Sequence, residues 1–173
     1  MAAARQTERT AAAEAMRPHD HGDCIRRVLD EAERRASEDR VNFTPVRRHA
    51  LEILLESHAA MPAYGLLKRL DEDGFGSQPP VAYRALDFLM EQGFVHKVER
   101  LNAFVACMDP DESHAPAFLI CRNCRSVAET CVSPSPAALL REARAAGFAI
   151  ERSVMEAEGL CRACAEEGSA PCR

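Results

Sequence analysis

No apolar run in this 173-residue chain approaches the roughly 18 residues that a membrane-spanning helix needs, so the sequence offers no membrane crossing. The first 22 residues are rich in Ala and Arg but lack the continuous apolar core of a secretory leader. The expected location is therefore the cytoplasm, where thiols stay reduced. Positive charge is also short. The 22 Lys and Arg are outnumbered by 27 Asp and Glu, giving a net charge of −5 and excluding a protein that coats nucleic acid through bulk positive potential. There is no glycine-rich phosphate loop, nucleophile elbow, HExxH helix or internal repeat. The chain is not expected to be an enzyme or to take a small-molecule substrate.

What remains is an ordinary folded composition, 47% hydrophobic and 28% charged, long enough for one compact domain or two small units. Charge is uneven along it. Residues 1–39 sum to −2, residues 40–100 to 0 and residues 101–173 to −3. A DNA contact belongs in the middle stretch and depends on particular arginines and helix ends rather than on overall charge.

Residues 1–22, with His19 and His21 but no apolar periodicity, read as a disordered arm. From Cys24, the residues Ile25, Val28, Leu29, Ala32 and Ala36 have helical spacing. Thr44-Pro45 has the form of an N-cap followed by proline at the first helical position, with Leu51, Leu54 and Leu55 as a buried stripe. A third helix runs from Pro62 to about Glu72 and ends in a Gly74, Gly76, Ser77 break. After Pro79-Pro80, the residues Ala82, Leu86 and Leu89 recur at i, i+4 and i+7, leaving Tyr83, Arg84, Asp87 and Glu91 outward. Two short β-type runs, 94–98 and 103–107, form a hairpin. Helices followed by a hairpin predict an α+β chain with an N-terminal winged helix-turn-helix DNA-binding domain over 23–108. Residues 109–114 are a hinge linker. Residues 115–173 form a C-terminal α/β domain with strands at 117–120, 127–130 and 148–156 and a helix over 135–146.

Cys121-Arg-Asn-Cys124 and Cys161-Arg-Ala-Cys164 are CxxC knuckles separated by 36 residues. Two sulfurs on each tight turn suit a tetrahedral zinc that staples distant segments, a redox dithiol pair being the competing reading. Four thiolates leave no open coordination position, which marks a structural site. His96, Cys107, His114 and Glu129 form a sparser set on the hairpin, the linker and a strand. Each alone is ordinary, a strand histidine being usually a satisfied polar group and a lone cysteine core filler. Together their nitrogen, sulfur and oxygen donors suit zinc, and the soft thiolate disfavours Mn(II) or Mg(II). Cys24 is most simply a buried helix residue, and Cys131 and Cys172 have the character of free thiols.

Phe43-Thr44-Pro45-Val46-Arg47, Pro79-Pro80-Val81-Ala82-Tyr83-Arg84-Ala85-Leu86-Asp87-Phe88-Leu89 and Gln92-Gly93-Phe94-Val95-His96-Lys97-Val98-Glu99, followed by both knuckles, closely resemble the ferric uptake regulator (Fur) superfamily and its zinc uptake regulator (Zur) branch. The resemblance covers about residues 24–165. It implies a homodimeric, zinc-responsive repressor of zinc uptake genes that binds double-stranded operator DNA and holds two zinc ions per monomer. An iron- or peroxide-responsive regulator is the alternative. The resemblance assigns a structural zinc to Cys121, Cys124, Cys161 and Cys164, a regulatory zinc to His96, Cys107, His114 and Glu129, and dimerisation to the C-terminal domain. It brings the fourth helix to the major groove, with Tyr83 and Arg84 as contacts and Tyr64 on the preceding helix. Arg47 is a phosphate-contact candidate. Many relatives carry a His-His-x-His cluster before the first knuckle, whereas here His114 stands there, followed by Ala-Pro-Ala. That departure weakens a further metal site and the iron reading.

Overall fold

The computed structural model describes residues 22–56, 59–108, 110, 116–131, 137–151 and 153–166. Four helices come first: α1 (Gly22–Glu38), α2 (Pro45–Leu55), α3 (Ala63–Glu72) and α4 (Pro79–Glu91). Their apolar stripes meet in one cluster that includes Val28, Leu51, Leu54, Leu66, Leu70, Leu86 and Leu89. Pro45 and Pro79 stand in the first turns of α2 and α4, where a missing N–H costs nothing. Thr44 occupies the N-cap position as expected. Its hydroxyl, however, makes no cap hydrogen bond and is buried without a partner among the described residues.

Gly93, at φ +76°, turns the chain out of α4 in the left-handed conformation that glycine adopts at least cost. The hairpin follows, β1 (Val95–Val98) antiparallel to β2 (Ala103–Ala106), with His96 opposite Val105. A 3₁₀ turn over Glu99–Leu101 and Asn102 at φ +45° connect the strands.

The second half is a three-stranded sheet in the order β4-β3-β5. Strand β3 (Pro116–Cys121) is antiparallel to β4 (Val127–Cys131) and parallel to β5 (Met155–Gly159). Helix α5 (Ala137–Ala145) connects β4 to β5, and the short α6 (Arg162–Glu166) closes the described chain. The strand expected at 148–156 is corrected: Phe148 to Ile150 are not strand and Phe148 is exposed, while β5 starts at Met155. The apolar run drew the reading too early. The true strand, Met-Glu-Ala-Glu-Gly, has no β-branched residue, and its place follows from pairing with β3 up to Cys121↔Gly159, beside the sulfur cluster.

A smaller core joins hairpin to sheet. Val98 and Val105 pack with Phe118, Ile120 and Val127, supported by Ala60, Leu101 and Val154. Isolated bridges from Ala59 to Ser126 and from Met61 to Phe104 tie in the segment before α3. The arm with His19 and His21, the linker residue His114 and Cys172 lie outside the described residues, as do the side chains of Cys24 and Cys131.

Candidate metal centres and nucleic-acid interface

Cys121 ends β3, and Cys124 follows on a tight turn closed by the Arg125 N–H donating to the Cys121 carbonyl at 2.9 Å. Cys161 immediately precedes α6, and Cys164 lies within it. Because β5 runs parallel to β3, both knuckles emerge at the same end of the sheet. The four sulfurs lie within 4.8 Å of one another, and Cys124 Sγ is 3.8 Å from Cys161 Sγ. A tetrahedron with zinc–sulfur bonds of about 2.3 Å has edges of about 3.8 Å, so these thiols fit the ion.

The surroundings donate hydrogen bonds to two of the sulfurs. The Cys161 N–H donates to Cys121 Sγ and the Asn123 side-chain amide to Cys164 Sγ, each at 3.3 Å. Burial pushes the Cys121 thiol up, but the backbone N–H groups of Cys161, Cys124 and Asn123 outweigh it and bring the pKa down to about 6. At Cys161 the Cys164 N–H pulls downward, yet burial and the crowding thiols of Cys164, Cys124 and Cys121 win and push it up to about 12. One sulfur ionises readily and a neighbour resists, so the full thiolate set needs a cation.

The second cluster lies where hairpin meets sheet. His96 comes from β1, Cys107 directly follows β2, and Glu129 comes from β4. Their donor atoms lie within 4.8 Å of one another. Glu129 Oε1 is 3.1 Å from His96 Nε2 and 3.7 Å from Cys107 Sγ. Ideal tetrahedral zinc edges are about 3.4 Å for nitrogen to oxygen and about 3.6 Å for sulfur to oxygen, so this set also fits. The Met108 N–H donates to the second carboxylate oxygen at 3.4 Å and orients it. His114, the fourth expected member, lies outside the described residues. Sequence reasoning missed the donors around both clusters, Asn123 and the Met108 amide. Asparagine inside a CxxC knuckle was the available signal for the first, and a backbone amide leaves none.

On the helical side, Tyr64 projects from α3 and Tyr83 from α4, 79% and 54% exposed, and Arg84 is exposed beside Tyr83. All three are exposed, on the two consecutive helices that precede the hairpin. Arg47 differs. Its guanidinium lies 3.8 Å from the centre of the Phe88 ring and donates to the Asn42 carbonyl, which packs α2 against α4.

A winged helix followed by a sheet with a four-sulfur cluster defines the ferric uptake regulator superfamily fold. No family model matches the sequence. The chain is 41% identical over 140 residues to the zinc uptake regulation protein of Escherichia coli (strain K12), spanning 80% of this chain and 82% of that protein. A solved zinc uptake regulator complexed with zinc and DNA superposes with a TM-score of 0.80 at 39% identity, covering 84% of this chain and 98% of that one. Holo XcZur superposes at 0.72 with 40% identity, covering 80% and 96%. The chain belongs to the zinc uptake regulator family. The iron- or peroxide-responsive alternative is not favoured.

Proposed function

We propose that this chain is a zinc-responsive transcriptional repressor that binds operator DNA as a zinc-loaded homodimer and shuts off zinc uptake genes. The carrying observation is the convergence of His96, Cys107 and Glu129 at the junction of hairpin and sheet. Zinc supplies a cross-link between the segments that these ligands come from. His114 is the proposed fourth ligand, and with the four-cysteine site the monomer holds two zinc ions. Residues 23–108 act as the DNA-binding unit, 109–114 as the hinge and 115–173 as the dimerisation unit.

Dimerisation is supported by apolar side chains left exposed in the C-terminal half: Leu119, Leu139, Leu140, Phe148, Met155 and Leu160. Two recognition helices must stand about one turn of DNA, roughly 34 Å, apart, and the junction sets each helix relative to the dimer unit. By linkage, zinc tightens DNA binding by the same factor that DNA tightens zinc binding. Tyr64, Tyr83 and Arg84 are the proposed DNA contacts, Arg84 by bidentate reading of guanine. Arg47, held against Phe88 of α4, is the proposed phosphate contact. The protein is cytoplasmic, and it works by binding DNA rather than by catalysis. Operator binding measured against zinc, ferrous and manganous ions tests the reading. Zinc should promote binding at the lowest free concentration, with two zinc ions per monomer by elemental analysis. A ferrous preference, or metal-independent binding, would overturn it.

A further inference from the structure

The sheet meets the hairpin along two neighbouring rows of paired residues, and one of them carries a carboxylate at each end that touches the hairpin. Across β4, β3 and β5 the row reads Glu129, Phe118, Glu156, because Phe118 pairs with Glu129 on one side and with Glu156 on the other. Paired residues of adjacent strands project to the same face, so two carboxylates flank one buried ring. Each grips a different part of the hairpin. Glu129 reaches His96 on β1, and the Phe118 ring packs on the same imidazole with centroids 5.8 Å apart. Glu156 reaches the turn beyond β1: Oε1 accepts the Glu99 N–H at 2.6 Å and Oε2 accepts the Arg100 N–H at 3.0 Å. These amides open the 3₁₀ turn, where first-turn donors have no partner within the turn itself. Two residues along β5, Glu158 pairs with the Arg100 guanidinium.

We infer that Glu156 is a second, metal-independent clasp between winged helix and sheet, a positioning residue that holds the hairpin at the angle where the His96, Cys107 and Glu129 site closes. The inference rests on reading that cluster as the zinc sensor. The apolar core of Val98, Val105 and Phe118 already joins the two lobes, and polar bonds at both ends of the row fix the angle that this non-directional packing leaves adjustable. The chemistry needs glutamate. Its two oxygens accept two successive N–H groups in charge-assisted bonds, glutamine offers one acceptor, and aspartate is a methylene too short. Since the clasp favours the closed arrangement with or without metal, it lowers the zinc concentration at which that arrangement dominates.

The test is Glu156→Gln in the full chain. In the zinc-loaded protein the Glu99 and Arg100 amides should exchange with solvent about tenfold faster than in wild type, as expected for losing one charge-assisted bond. The zinc concentration for half-maximal operator binding should rise by about the same factor, while excess zinc restores operator affinity to near the wild-type value. Unchanged exchange overturns the clasp. Faster exchange without a shift in the zinc midpoint, or a loss of operator affinity that excess zinc does not repair, overturns the positioning role. Should Glu156→Gln lose the zinc of its four-sulfur site, Glu156→Asp keeps the charge but not the reach. A severalfold midpoint shift is then expected, and an unchanged midpoint overturns the inference. Wild-type protein that binds operator regardless of zinc would refute the sensor reading instead, leaving the exchange comparison to decide the clasp.

Discussion

Replacing Phe118 by alanine should loosen the junction between sheet and hairpin while sparing the helical core. The ring is 1% exposed and packs with Val98, Val105, Ile120 and Val127, a cluster separate from the one that joins α1 to α4. Truncating a buried phenylalanine costs about 3–5 kcal/mol, of which about 1.5–3 kcal/mol is lost transfer energy and the rest the cavity left behind. Against a typical domain stability of about 5–15 kcal/mol, that loosens one lobe without unfolding the chain. At about 1.4 kcal/mol per factor of ten, amide exchange in β3, β4 and β5 should accelerate by roughly two to three and a half orders of magnitude, up to the limit set by global unfolding. Helices α2, α3 and α4 should keep their protection. Hydrogen exchange resolved by residue reads this directly. Equal acceleration in helices and sheet would show one shared core, and acceleration below about tenfold in the sheet would show that the cluster does not hold the junction.

Cys161→Ser should release the four-sulfur zinc and abolish dimers, because three ligands hold zinc poorly and α6 has little buried apolar surface beyond the cysteines. Size-exclusion chromatography with zinc analysis checks it, and a stable zinc-free dimer would refute it. Arg84→Ala should leave zinc content unchanged and weaken operator binding by about 1–3 kcal/mol per lost base contact, with scrambled DNA much less affected; an equal loss on both DNAs across a salt series would make it a phosphate contact. His49 on α2 contacts Glu52 at 3.2 Å and Asp73 at 2.7 Å and stacks on Phe75. Burial lowers its pKa, but the Asp73 and Glu52 carboxylates outweigh that and raise it above the ordinary 6.5. A raised folded pKa stabilises fully below the unfolded value and is lost as pH rises through the folded value. Thermal melts from about pH 5.5 to 8.5 should therefore show His49→Gln removing stability mainly at the acid end, and an equal loss at both ends would contradict this.

Much of this architecture was legible because its signals are local. The Leu51, Leu54, Leu55 stripe and the Pro79-Pro80 start mark helices by periodicity and by proline's tolerated position, and both CxxC knuckles announce metal by spacing alone. Strand β5 was misjudged because its pairing with β3, not its composition, makes it a strand. The capping role expected of Thr44 failed at the hydroxyl while its position held, since burial beside α2 left that oxygen without a partner among the described residues. That Phe88 lies against the Arg47 guanidinium was not legible in the sequence, because the two residues are 41 positions apart and meet only in the packing of α2 on α4. The Glu129, Phe118, Glu156 row was invisible for the same reason: it exists only in the register of three strands whose residues are up to 38 positions apart.

On the function proposed above, closure at the His96, Cys107 and Glu129 cluster, and not folding alone, makes the chain competent for DNA. Operator binding by Cys107→Ser, titrated with zinc beside wild type, tests it most directly. Cys107 is buried at the junction and stands apart from the four-sulfur cluster, so the variant should stay folded and keep the zinc of that cluster. The variant's zinc requirement for operator binding should rise by at least about tenfold, because a serine oxygen is a weaker zinc donor than the thiolate it replaces. Wild-type zinc dependence in a folded Cys107→Ser protein would contradict it.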